Sequence, residues 1–394
     1  MTTPVLAVTN AYPDFAGSYH GIFVEGAVRD LAGRGWLSHV LAPRIFKASK
    51  HFESFPTHTV TRFPFPTKEK LLIEYETVPV FRLSVLLARG TVAATRLVLS
   101  RRCRLIHAHW AFPAGLIGLA AARLTGRRLV LTVHGSDWRL ARTRGGAAAL
   151  LFARVARGAS RIISVSKEIT DYLLELGLPA NKIITRPMGA DERIFYRRKP
   201  AAPARGGLSI ISTRNLLPLY RVEDLIRAAA ASGVRLPGFA LTIAGEGSQR
   251  GELEALCRAL GIAEQVAFTG RLEPERLSRR LSESRVYVSA SPAEGASVSL
   301  LEALACGCLP IVTDIPANRE WVAHGDNGLL FSPGNIEELS ACLIRAAEDP
   351  GLAERAAAKG PEIVAGRGSW SGQIETIDAI YRELTGANYS VSLT

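Results

Sequence analysis

At 394 residues the chain exceeds the size at which one hydrophobic core keeps growing, so two domains are expected. Its 47% hydrophobic and 21% charged residues describe an ordinary globular protein, without an uninterrupted apolar run of the roughly eighteen residues that a membrane span needs. The formal net charge of +12 is carried by the first half, where residues 1–195 hold 27 Lys and Arg against 13 Asp and Glu; the remainder holds 21 against 23. Such an imbalance points to an anionic partner on the N-terminal side. Cys103, Cys257, Cys306, Cys308 and Cys342 are odd in number, scattered and without a CxxC pair, which argues for packing residues over a disulfide framework or zinc site.

The N-terminal MTTPVLAVTN lacks the basic head and apolar stretch of a secretion signal and reads as a first β-strand. The cytoplasm is the expected location, with peripheral attachment to the inner membrane face as the variant. A glycine-bearing loop follows, then a helix over about 22–34. Arg82, Arg89 and Arg96 recur every seven residues in an apolar helical stretch, ahead of Arg101, Arg102 and Arg104. Seven residues are nearly two turns, so the three arginines share a face. Two readings stay open there, a solvated helix face and an interfacial helix on anionic lipid.

LIHAHW, RLVLTVH and RIISVS are further strands, each with a helical segment after it, as parallel βαβ units require. Residues 196–206 have the Pro, Ala, Gly and Arg composition of a linker. The pattern then restarts with LSIIST, FALTIAGEG, QVAFTG, RVYVSAS and LPIVTD, and closes on a helical tail over 370–384. The expected fold is therefore α/β, with two Rossmann-like, doubly wound parallel-sheet domains facing a cleft. Their expected limits are 1–195 and 207–368, with 369–394 as a helix packing back on the N-terminal domain.

The segment 289–307, SASPAEGASVSLLEALACG, carries the most chemistry. A strand ends near Ser289, a short loop holds Glu294, Gly295 and Ala296, and a helix begins near Ser297. Free N–H groups and the dipole at that helix start make an anion site, and Gly295 lets the backbone approach a ligand. Glu302 lies more than a turn further on, placed to accept from hydroxyls. A carboxylate on each side of a phosphate site suits a nucleotide-sugar. A glutamate near a helix start also simply complements the dipole. The Gly245-Glu246-Gly247 stretch lacks the third glycine of a dinucleotide fingerprint.

This segment resembles the E-x7-E motif of family 4 (group 1) retaining glycosyltransferases of the GT-B fold, and the resemblance runs along nearly the whole chain. NAYPDFAGSYHGIFVEGAVRDL, HAHW, LTVHGSD, VSKEITDYL, PMGADERIF, STRNL, AGEGSQRGELEAL, FTGRL and DNGLLFSPGN follow one another in the family's order. The resemblance implies a hexosyltransferase that uses a UDP- or GDP-linked sugar donor and a polysaccharide or lipid-linked glycan acceptor, with no cofactor or metal required. It implies that Gly21 approaches the donor diphosphate and that His134 lies beside the transferred sugar. Arg214 would neutralise the diphosphate and Glu294 touch the sugar. The amides of Gly295, Ala296, Ser297 and Val298 would surround sugar and phosphate, Glu302 would bind the ribose, and Gly270, Arg271 and Leu272 the base. The family's phosphate-site lysine is replaced here by Tyr220, followed by Arg221, and either could serve in its place. GCLPIVTD is one residue longer than the family's Gly-x-Pro step. An epimerase-like enzyme of the same fold and a non-catalytic sugar-nucleotide-binding protein are the alternatives. Nucleic-acid binding is not expected, because no recognition module or aromatic platform accompanies the positive charge.

Overall fold

The computed structural model describes residues 2–15, 18, 20–67, 69, 80–198, 207–233, 235–236, 238–295 and 297–387. Residues 199–206 of the expected linker, and Ala296 of the expected site, lie outside them. The chain divides into two compact units. Unit 1 runs from the N-terminus to Arg186 and takes in the C-terminal segment from Gln373; unit 2 is Pro187–Gly372.

Unit 1 is built on eight strands: β1 (Thr3–Val8), β2 (Trp36–Arg44), β3 (Phe52–Ser54), β4 (His58–Pro64), β5 (Leu105–His109), β6 (Arg128–Val133), β7 (Arg161–Ser164) and β8 (Ile183–Thr185). Their order is β3-β4-β2-β1-β5-β6-β7-β8, and every pairing is parallel except β3 with β4. The central strands are apolar on both faces, as expected when helices cover a parallel sheet on each side: Val5, Leu6, Ile106, Leu129, Val130, Leu131, Ile162 and Ile163 are all buried. Its helices are α1 (Ile22–Ala32), α2 (Val80–Ser100), α3 (Ala114–Thr125), α4 (Ser136–Arg144), α5 (Gly146–Gly158) and α6 (Lys167–Glu175).

Unit 2 holds β9 (Ser209–Ser212), β10 (Ala240–Ile243), β11 (Val266–Phe268), β12 (Val286–Ser289), β13 (Leu309–Thr313) and β14 (Leu329–Phe331), all parallel in the order β11-β10-β9-β12-β13-β14. It carries α7 (Val222–Ser232), α8 (Arg250–Ala259), α9 (Pro274–Glu283), α10 (Val298–Ala305), α11 (Pro316–Arg319), α12 (Ile336–Glu348) and α13 (Pro350–Arg367), followed by α14 (Trp370–Thr385). Both units are thus Rossmann-like parallel-sheet α/β folds, as the alternation of strands and helices requires.

The first boundary falls at Arg186/Pro187 rather than at residue 195. Ala190 N–H donates to Gly368 O, Trp370 N–H donates to Ala190 O, and Phe195 is buried with Ile211, Tyr287 and Leu300 of unit 2. Those contacts, invisible in composition, bind 187–195 to the second sheet. At the other end α14 starts in unit 2 and sinks into unit 1 from Gln373. Ile374, Ile377, Ile380 and Tyr381 are buried there, and Trp36 Nε1 donates to Asp378 Oδ1 at 2.7 Å.

Helix α2 is, by length and composition, apolar enough to cross a membrane, a property that its arginines hide from a search for uninterrupted apolar runs. It nevertheless covers the sheet of unit 1. Leu86, Gly90, Ala94 and Val98 are buried, and a Cβ at Gly90 would stand 2.5 Å from Ile117 Cδ1 of α3 and 3.0 Å from Phe63 Cζ of β4. The opposite face exposes Phe81 (74%), Val92 (50%) and Leu99 (62%) with Ala88, and the row Arg82, Arg89, Arg96 runs beside this ridge.

Candidate functional site

In a doubly wound sheet the loops at the carboxyl ends of the two strands flanking the order reversal diverge and leave a crevice. In unit 2 those strands are β9 and β12. Arg214 follows β9 and Glu294 follows β12, so residues eighty apart in sequence meet at one switch point. The Arg214 guanidinium is ion-paired through Nη2 with Glu294 Oε1, and its Nη1 donates to Ser297 Oγ at 3.3 Å. Both partners of the pair are buried, with side chains 7% and 10% exposed. Tyr220 lies beneath the guanidinium with its ring centroid 4.6 Å from Arg214 Cζ. Arg214 Nε has no hydrogen-bond partner among the described residues, so this buried cation is left incompletely satisfied.

Ser297 is the N-cap of α10; its Oγ accepts from Leu300 N–H at 3.3 Å, and Val298 is the first helical residue. The expected helix start is therefore one residue from the observed one. Gly295 leads into this cap in the loop from β12. Glu302 sits in the second turn, and burial pushes its carboxyl up to about 8 against the opposing pull of Arg214. Arg221 is drawn elsewhere: in the left-handed region at φ 48°, it donates from Nε to Asp224 Oδ2 at 2.6 Å and from Nη2 to Oδ1 at 3.1 Å. The structure therefore gives Tyr220 a place beside the arginine, while the charge of Arg221 is engaged by Asp224. Arg271 is exposed and Leu272 half-buried, just past the Gly270 turn after β11 at the sheet edge.

Gly245 and Gly247 acquire a physical role. A Cβ at Gly245 would lie 2.1 Å from Arg214 O, and Leu216 N–H donates to Glu246 O at 2.8 Å. The β10 loop is pressed against the backbone that presents Arg214, and only glycine fits at that approach.

In unit 1 the switch point lies between β1 and β5. Gly21 is the N-cap of α1 at φ 68°, and a Cβ there would stand 2.2 Å from Ala11 O. The segment leading to it is tied down by buried polar groups. Arg62 pairs with Glu53 and, at 3.5 Å, with Asp14, and it also donates to Pro13 O. Asn10 donates to Phe112 O at 2.8 Å and accepts from Ala114 N–H at 2.9 Å, joining the β1 and β5 loops.

His134 follows β6, half-buried between the rings of Phe23 at 4.8 Å and Trp110 at 4.7 Å. Asp137 locks its turn, with Oδ2 accepting from Ala111 N–H at 2.7 Å and Oδ1 from Gly135 and Trp138 N–H at 3.1 and 3.0 Å. Two histidines absent from the sequence-derived site stand behind it. His109 Nδ1 lies 3.1 Å from His134 Nε2, and the His107 ring stacks on His109 at 4.3 Å. Burial pushes His109 down to about 3 and holds His107 and His134 well below the ordinary imidazole range, so all three are neutral at pH 7. The signal was present as His-x-His on a strand, where alternate residues share a face. Among the described residues no three His, Cys, Asp or Glu gather as a metal site would need.

Residues 20–189 match the family profile described as glycosyl transferase 4-like domain, and residues 196–363 match glycosyl transferases group 1. The chain belongs to the family 4 (group 1) glycosyltransferases, of the GT-B fold. This glycosyltransferase is 27% identical over 392 residues to the GDP-mannose-dependent alpha-(1-6)-phosphatidylinositol monomannoside mannosyltransferase of Mycolicibacterium smegmatis, an alignment covering 92% of each protein. It shares its fold with the sucrose-phosphate synthase of Thermosynechococcus elongatus, at TM-score 0.79 and 20% identity over 98% of this chain and 100% of that one. Anabaena HepE, solved in complex with UDP, matches at TM-score 0.74 and 18% identity over 97% of this chain and 100% of its own.

Proposed function

We propose that this protein is a retaining hexosyltransferase that moves a sugar from a UDP- or GDP-linked donor to a polysaccharide or lipid-linked glycan. The observation that carries the reading is the buried Arg214, held at the unit 2 switch point between Glu294, Tyr220 and the capped start of α10. Charge develops on the departing nucleoside diphosphate as the glycosidic bond breaks. A preorganised guanidinium and a helix N-terminus stabilise that charge without reorganising. Donor phosphate oxygens would take over Arg214, releasing Glu294 towards the sugar hydroxyls, with the Gly295–Val298 backbone around them. Glu302, protonated at neutral pH in the resting protein, can offer a ribose diol one donor and one acceptor. Arg271 and Leu272 would meet the base, Gly21 the diphosphate, and His134 the transferred sugar. Tyr220 acts here by supporting Arg214. In the front-face course implied by the family, a phosphate oxygen of the leaving group takes the acceptor's proton as the new glycosidic bond forms, so no enzyme nucleophile is needed.

The exposed ridge Phe81, Ala88, Val92, Leu99 with its flanking row Arg82, Arg89, Arg96 supports an acceptor presented on an anionic membrane surface, met at the inner leaflet. An apolar ridge enters the interface while guanidinium groups meet lipid phosphate. Vesicles of anionic lipid should sediment the protein at physiological salt, and the triple change R82E/R89E/R96E should release it. Equal binding to neutral vesicles would count against this face.

The donor reading is tested by thermal shift against UDP, GDP, ADP and their common sugars. A ligand present at one hundred times its Kd stabilises the folded state by about 2.7 kcal/mol. If none of these ligands raises the melting temperature, the reading fails.

A further inference from the structure

Trp110 follows β5 in a backbone conformation that its side chain disfavours. Its φ of 70° lies in the left-handed region, where Cβ crowds the backbone and a bulky aromatic residue is an outlier. Such strain persists only where the surroundings over-determine it. Here they do. Trp110 N–H donates to Thr132 O of β6 and Gly115 N–H donates to Trp110 O, both at 2.9 Å. Asp137 holds Ala111 N–H, while Asn10 takes Phe112 O and Ala114 N–H. Glycine or asparagine would adopt that backbone with less strain, so the indole is what the strain retains. Part of the ring packs on the cluster that includes Ala7, Tyr12 and Val24, yet the residue stays half-buried.

The indole meets two other half-buried rings. Phe23, at the start of α1, lies 5.4 Å from it at 62°, and His134, beyond β6, lies 4.7 Å from it at 46°. Three elements thus bring one ring each to the carboxyl end of the unit 1 sheet, beside its switch point. Trp110 Nε1–H has no hydrogen-bond partner among the described residues, and unlike the indole N–H of Trp138 it is not buried, so it stands open to a ligand. Burial keeps the His134 imidazole neutral, so the three rings carry no charge.

We propose that Phe23 and Trp110 form the subsite for a pyranose ring of the acceptor glycan, with the indole N–H donating to one of its hydroxyls. The apolar face of a pyranose presents C–H groups, whose positive ends suit the negative face of an aromatic ring. A single placed donor among apolar rings gives such a site its orientation. An uncharged wall offers nothing to a phosphate, so the subsite reads the sugar and not a lipid phosphate attached to it. The proposal rests on the transferase reading in calling that sugar the acceptor, since His134 is there the residue beside the transferred sugar.

The test uses the full-length protein with isotopically labelled tryptophan, its indole N–H groups read by NMR and Trp110 assigned through Trp110→Phe. With no nucleotide present, at least one of methyl glucoside, methyl mannoside and methyl galactoside should move the Trp110 signal saturably, while UDP and dodecyl phosphate should not. Phe23→Leu keeps the indole but removes its ring partner, and should weaken that binding about tenfold. Should either variant fail to fold, the other still identifies the Trp110 signal, because Phe23 touches that indole. With a donor in hand and the best-binding glycoside as acceptor, Trp110→Leu should raise the acceptor KM about tenfold or more and leave the donor KM within about twofold. Trp110→Phe, which keeps a ring without the N–H, should fall between. A Trp110 signal that none of the three glycosides moves, that UDP or dodecyl phosphate moves as strongly, or whose titration Phe23→Leu leaves unchanged overturns the subsite. Because the titration contains no donor, its failure is distinct from that of the donor reading, which shows as no nucleotide-sugar stabilising the fold.

Discussion

Acid should unfold unit 1 well before unit 2. Five of the eight histidines have depressed proton affinity in the folded protein, and all five (His39, His58, His107, His109 and His134) lie in unit 1. Burial is the first cause in each. A histidine with a lowered folded pKa contributes stability that is complete above its unfolded value near 6.5 and is lost as the pH falls towards the folded value. For His109, lowered to about 3, and His58, lowered to about 4, the window opens at 6.5 and reaches well below pH 5. Each pH unit in that window costs about 1.4 kcal/mol, so at pH 5 these two alone remove about 4 kcal/mol. That is a large part of the 5–15 kcal/mol or so that typically separates folded from unfolded. Asp14 and Asp137, whose carboxyls burial pushes upward, act in the opposite sense and offset part of the loss. Urea titrations at pH 7 and pH 5, read by pulsed hydrogen exchange and mass spectrometry, follow the two units separately. The midpoint of unit 1 should fall steeply between the two pH values while that of unit 2 holds or rises, because the Glu302 carboxyl, pushed up to about 8 by burial, gains stability as the pH falls; His109→Asn should flatten the dependence of unit 1. Equal movement of both units, or none in unit 1, would refute the reasoning.

Four further outcomes are expected. Gly21→Ala forces a Cβ to 2.2 Å from Ala11 O at a left-handed φ of 68°, and should cost about 1–3 kcal/mol in chemical denaturation and weaken nucleotide-sugar binding. Arg214→Met leaves Glu294 buried without its counter-charge; stability should drop by about 3 kcal/mol, and nucleotides should no longer raise the melting temperature. Arg214→Lys should restore stability only in part, since an ammonium cannot serve Glu294, Ser297 and the Tyr220 ring together. Asp137→Ala strands three N–H groups that now share one carboxylate, and should destabilise unit 1 by about 2–4 kcal/mol in the same urea assay.

The strands that carry the two switch points were legible in the sequence because they are continuous apolar runs. VLAVTN, LIHAHW, RLVLTVH, LSIIST and RVYVSAS each contain an observed strand within a residue or two. Strands β2, β3 and β4 were not anticipated: Ser38, His39, Pro43, Thr59, Thr61 and Arg62 interrupt the pattern, and Arg62 and His58 are buried only because Asp14, Glu53 and Tyr12 meet them from elsewhere. The helix start near Ser297 followed from residue order, whereas the place of Arg214 beside it was implied only by the resemblance to the family. The pairing of Arg214 with Glu294, the stacking of Tyr220 and the capture of Arg221 by Asp224 followed from neither, since each depends on side-chain directions that only the packed loops fix. The histidine series was missed for the same reason. Its His-x-His pair is visible, but the partners are Thr132, His134 and Tyr381, the last from the far end of the chain.

That last partner has a consequence for biosynthesis. The sheet of unit 1 is complete once Thr185 has been made, yet Asp378 and Tyr381, which meet Trp36 and His107 inside it, leave the ribosome only after the whole of Pro187–Gly372. Throughout that interval the nascent unit exposes the apolar floor and the imidazoles that α14 will cover. The first unit to be translated is therefore the last to be sealed, and a chain truncated before Gln373 would carry an open groove where the finished protein has its histidine-lined core.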